Sequence, residues 1–90
     1  MKARKIIAEY DIRKVELGTL EMIKSIEKLG WFKIVDVSDY SIDEHDFMNP
    51  YERFTIRIDR ANWPESNVAE KNMLKNIFPA SRCVNTEYYF

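Results

Sequence analysis

Asp43, Glu44, His45 and Asp46 form a run of oxygen and imidazole ligands, with Asp36 and Asp39 before it and Glu52 after it. Six carboxylates thus fall within residues 36–52, and no Lys or Arg lies among them. Such a stretch could hold a metal, set up acid–base chemistry or offer a negative surface to a partner. The metal reading fails on spacing. The run lacks the alternating aspartates and glycine of a calcium loop and the i, i+4 histidines of a zinc helix, and adjacent side chains cannot all converge on one ion. Acid–base catalysis by paired carboxylates needs an apolar pocket to raise one pKa, and a polar turn supplies none.

Other catalytic templates fare no better. His45 is the one histidine, so any Ser/His/Asp or Cys/His arrangement would have to be built around an acidic loop. Cys83 sits in a predicted strand and reads as a core thiol. The two glycines, Gly18 and Gly30, stand too far apart to cradle a phosphate. The expectation is a non-enzyme with no cofactor and no metal.

The remaining reading is an interaction surface. Residues 1–35 carry eight bases and five acids, and residues 53–90 six bases and four acids, so the net charge of −1 conceals an acidic middle. Tyr40, Phe47, Met48 and Tyr51 are interleaved with the carboxylates, which suits a protein-binding patch better than an inert loop. Asp36, Asp39, Asp43, Glu44, Asp46 and Glu52, with Tyr40 and Phe47, are the candidate protein-binding residues. A row of carboxylates on a hairpin can imitate the phosphates of a duplex, which recur every ~1.7 Å of axis. The expected partner is a protein with a basic, nucleic-acid-binding surface, approached by electrostatic attraction.

The elements that position these residues follow from periodicity. Ile6, Ala8, Tyr10 and Ile12 alternate with polar residues and predict a strand over 4–12, with 13–18 as a connection. Thr19 is a plausible N-cap, Leu20, Ile23, Ile26 and Leu29 recur at helical spacing, and Gly30 suits the left-handed position past the end, predicting a helix over 19–29. Residues 31–37 predict a second strand running on toward Ile42. Its alternation is imperfect, with Phe32 and Ile34 on one face and Val35 and Val37 on the other, so a bulge or burial on both faces is expected. Residues 43–50 read as a polar turn. Phe54, Ile56 and Ile58 point inward from a strand over 53–59. Ser66 or Asn67 caps a second helix, Asn67 and Glu70 having capping-box spacing; Ala69, Met73 and Ile77 form one row, Leu74 and Phe78 another, and Pro79 ends it. Val84, Thr86, Tyr88 and Phe90 alternate in a last strand.

That order predicts one α+β domain, a ferredoxin-like βαββαβ plait with a four-stranded antiparallel sheet and both helices on one face. Lys5, Glu9, Arg53, Thr55, Arg57, Glu87 and Tyr89 would occupy the uncovered face. Stacking aromatics are missing there, so direct nucleic-acid binding is not expected; pairing of Arg53 and Arg57 with Glu9 and Glu87 is the plainer reading. A homodimer through that face or an edge strand is a further expectation. A single cysteine, a start without a signal-peptide core and no apolar run near ~20 residues predict a cytoplasmic protein without a membrane span.

Two resemblances add to this. Ile-Ile-Ala-Glu-Tyr-Asp-Ile-Arg at residues 6–13 resembles the first strand of the Cas2 family, small ferredoxin-like proteins of CRISPR adaptation. That likeness implies a nucleic-acid binder or metal-dependent nuclease with Asp11 as the metal-binding aspartate; the Asn-Trp-Pro break and the Glu-Tyr-Tyr-Phe end do not match it. Over its whole length, with few glycines and many Asn, Tyr and Ile, and a run such as Ser-Ile-Asp-Glu-His-Asp-Phe-Met-Asn-Pro-Tyr-Glu-Arg-Phe, the chain looks like the small early proteins of T4-like phages. Among them the Arn-type anti-restriction inhibitors mimic DNA to block a host restriction nuclease. This resemblance implies a non-catalytic phage inhibitor acting in the host cytoplasm.

Overall fold

Strict alternation in Tyr51–Asp59 makes the best-defined strand of the protein: Glu52, Phe54, Ile56 and Ile58 are buried and the residues between them are half-exposed. Around it, the computed structural model, which describes residues 3–44, 48–64 and 67–90, places β1 (Lys5–Glu16), α1 (Thr19–Glu27), β2 (Lys33–Asp43), β3 (Tyr51–Asp59), α2 (Val68–Ile77), a 3₁₀ turn (Ala80–Arg82) and β4 (Cys83–Tyr89). The strands form one antiparallel sheet in the order β2-β3-β1-β4, leaving β2 and β4 as its edges.

The architecture is α+β, with two helices and an antiparallel sheet that curls into a half-barrel. The α+β class, the element order and the antiparallel sheet are as expected, and the regular form of the ferredoxin-like plait is what is corrected. β2 breaks where Asp39 takes a left-handed φ of 52°, and the pairing with β3 shifts between Ser38 and Ser41. Counted by its two halves, the sheet has five strands, and its curl departs from the regular plait. A bulge adds local twist, so breaks in β2 and a further shift in β1 between Ile12 and Val15 are a physical source of the curl.

The core lies between the sheet and both helices. Ala8, Tyr10 and Ile12 from β1 and Phe54, Ile56 and Ile58 from β3 meet Leu20 and Ile23 of α1, Phe32, and Leu74 and Phe78 around α2. Phe78 is the aromatic centre, with Tyr10, Phe32 and Trp63 ring centroids at 5.1, 5.3 and 6.0 Å. The Asn-Trp-Pro segment that ends β3 therefore also closes the core. Arg60 lies 4.4 Å over the Trp63 ring and donates a 2.7 Å hydrogen bond to the Tyr10 hydroxyl.

Several boundaries differ from expectation. β1 continues to Glu16, past the connection expected at residue 13. α1 ends at Glu27, so Leu29 falls beyond it and is exposed, while Gly30 has the expected positive φ. In β2 the register shift between Ile34 and Asp36 is the expected bulge, and it turns both Ile34 and Val37 toward the core while Val35 is exposed. α2 buries a narrower stripe than expected, Leu74 with Phe78 and part of Ile77; Ala69 and Met73 are exposed. Cys83 is half-buried against the core. Among the described residues no helix is long and apolar enough to cross a membrane.

Candidate protein-binding site

The acidic stretch falls on β2, an outer strand, and on the turn and strand that follow. Its members take different positions. Asp36 lies opposite Arg57 of β3, and Asp39 sits at the break. Asp43 lies opposite Tyr51, whose hydroxyl donates to its Oδ2 at 2.7 Å, and Glu44 follows the end of the strand. That bond holds the Tyr51 phenol above its ordinary value of 10.0, aided by partial desolvation. Asp46, Phe47 and His45 lie outside the described residues, as does Ser66.

Glu52 departs from the rest. Its inward position in β3 leaves it 2% exposed, although the run of acids places it on a surface. The Thr19 amide donates to its Oε1 at 2.7 Å and the Tyr40 hydroxyl to its Oε2 at 2.9 Å. Gly18, at φ 90°, is the α1 N-cap residue and offers no side chain, while Thr19, expected there, is already helical and donates its hydroxyl to the Glu16 carbonyl at 2.6 Å. Glu52 thus satisfies an orphan amide at the positive end of α1. Tyr40 is half of a local brace. Its ring stacks on Phe54 at 6.2 Å and its hydroxyl bonds Glu52, which raises the phenol above 10.0; 48% of the residue remains exposed.

On the uncovered face the registers set Glu9, Arg57 and Asp36 in one cross-strand row, Asp11, Thr55 and Ser38 in the next, and Arg53 beside Ser41 above them. The face is concave there, a groove of about 480 Å³ whose lining includes Asp11, Arg13, Ser38, Asp39, Ser41 and Arg53. Asp11 accepts from Arg13 Nε at 2.8 Å, and Arg57 Nη2 lies 3.9 Å from Glu87 Oε2. Arg53 has no ion-pair partner among the described residues. The pairing expected of the two strand arginines therefore holds for Arg57 with Glu87. Among the described residues no three His, Cys, Asp or Glu side chains gather as metal ligands.

Sequence reasoning missed two positioning residues. Arg60 ties β3 to Tyr10 and Trp63, and Glu27 accepts the Ile34 amide at the β2 bulge. The bond from Arg60 to Tyr10 spans 50 positions and that from Ile34 to Glu27 seven, so neither has a local signal, whereas Trp63 lies three residues from Arg60. No family model, curated protein or solved structure matches the chain.

Proposed function

We propose that this is a non-catalytic inhibitor that docks an acidic edge on another protein, its partner a basic, nucleic-acid-handling host enzyme such as a restriction nuclease. The observation that supports the reading most is the position of Asp36, Asp39 and Asp43 along an outer strand, with Glu44 just past its end and no Lys or Arg among them. Eight residue steps span at most ~26 Å, the fully extended length. One strand of duplex DNA carries about 8 phosphates over that length. Four carboxylates make half such a row, so charge complementarity with a basic cleft is the working principle, and duplex mimicry is the narrower form of the same idea. The carrier is read as a curled, five-strand variant of the ferredoxin-like plait, acting in the cytoplasm of a host cell.

The test is a pull-down from bacterial lysate followed by binding to the captured protein at rising salt. The expected result is a basic partner whose affinity falls steeply with ionic strength, is competed by duplex DNA, and drops on combining Asp36→Asn, Asp43→Asn and Glu44→Gln. Undiminished binding by that triple variant overturns the proposal.

A second reading draws on the groove, where Arg53 is unpaired among the described residues beside Ser41. It makes the chain a Cas2-like nucleic-acid binder or a metal-dependent nuclease using Asp11. Mg²⁺- or Mn²⁺-dependent cleavage that Asp11→Asn abolishes would establish it, and no cleavage across a panel of DNA and RNA substrates would end the nuclease branch.

A further inference from the structure

The two edges of the sheet are built differently. β2 is interrupted by two register shifts and a left-handed residue, and it carries Asp36, Asp39 and Asp43. Bulges and charges of this kind keep a stray strand from pairing. β4 lacks them over most of its length. From Asn85 to Tyr89 it follows β1 in unbroken register, and its one charged residue is Glu87. Val84, Tyr88, Tyr89 and Phe90 are exposed by 58%, 61%, 47% and 62%. A straight edge flanked by exposed apolar and aromatic side chains is a template for one more strand.

We propose that β4 pairs antiparallel with β4 of a second copy about a two-fold axis at Thr86. Complementarity selects both the occupant and the register. With the axis at Thr86, Asn85 lies opposite Glu87 of the partner subunit, an amide donor against a carboxylate. With the axis one residue later, two Glu87 carboxylates would face each other, which is unfavourable. One set of residues thus supplies both halves of the contact, as a two-fold interface requires. The assembly also closes at two copies, because pairing consumes both straight edges and leaves a broken, acidic β2 edge at each end of a continuous sheet. This dimer does not depend on the acidic edge having a partner.

The full chain is examined by sedimentation velocity across a wide concentration range. The expected result is a species of twice the 10.8 kDa chain mass, converted to a single chain by Tyr88→Lys with the far-ultraviolet circular dichroism unchanged. A second measurement covers a Tyr88→Lys chain that fails to fold. In a Cys83→Ser background, Thr86→Cys places a thiol at the axis and Ser81→Cys places one in the 3₁₀ turn outside the paired strand. Mild oxidation is expected to cross-link the Thr86→Cys protein far faster. A single-chain mass at every concentration, a larger closed or open assembly, or equal cross-linking of the two cysteine variants overturns the proposal.

Discussion

The backbone amide of Thr19 donates to Glu52 Oε1 at 2.7 Å, so a carboxylate from β3 caps a helix whose own N-cap residue, Gly18, has no side chain to do so. The bond joins α1 to the middle of the sheet, and Tyr40 extends it to β2. Glu52→Gln keeps the shape and removes the charge from a buried, doubly bonded acceptor. The expected loss is about 1.5–3 kcal/mol, read from urea unfolding. Asp36→Asn, on the same acidic stretch but on the uncovered face, is expected to stay within ~0.5 kcal/mol. Equal effects of the two would contradict the structural role assigned to Glu52.

Asn67 supplies the second cap. Its side chain accepts from the Glu70 amide at 3.1 Å, and Asn67→Ala is expected to lower stability by about 1 kcal/mol. This cap was legible in the sequence and the first was not. Asn67 acts three residues away, within the window a spacing rule covers, whereas Glu52 acts on a residue 33 positions earlier. The same divide runs through the fold. The order of strands and helices, the Gly30 turn and the alternation of Phe54, Ile56 and Ile58 are local and could be read. The break at Asp39 and the inward turn of Glu52 depend on how β2 and β3 register. An acidic run shows where charge is dense along the chain, and only pairing decides which members face water.

α2 offers a sharp contrast between adjacent residues. Leu74 is fully buried and Met73 is 38% exposed. Leu74→Ala is expected to cost about 2–5 kcal/mol through lost burial and the cavity left behind. Met73→Ala is expected to remain within ~0.5 kcal/mol. Thermal or urea unfolding of the two variants checks the burial stripe.

Burial lifts the Tyr10 phenol above its ordinary value of 10.0, against the opposing pull of the Arg60 guanidinium. A folded value above the unfolded one means that the stabilisation is complete below pH ~10 and is lost as pH rises through the folded value. The unfolding midpoint is expected to fall on the alkaline side of pH ~10. In an ultraviolet titration Tyr10→Phe is expected to remove part of the phenolate signal that appears late. An unchanged late signal would show that Tyr10 ionises freely.

Glu87 moves the other way. The hydrogen bond from the Tyr89 hydroxyl, helped by Arg57 and Asn85, holds its carboxyl below the usual glutamate value. The stabilisation is therefore present above the unfolded value and lost as pH falls through the folded one. Tyr89→Phe is expected to raise the Glu87 value, measurable by carbon-detected nuclear magnetic resonance titration.

Asp39 adopts a backbone shape that an L-amino acid seldom accepts, and aspartate is among the few residues that tolerate it. It acts as an elbow between the two paired halves of β2, and the distal half stays in the sheet: Ile42 and Asp43 pair with Glu52 and Tyr51, which pair in turn with Val15 and Glu16. A glycine or asparagine at this position keeps the bend, and a valine resists it. The register on either side of the elbow is therefore set separately, Val37 against Ile56 before it and Ser41 against Arg53 after it.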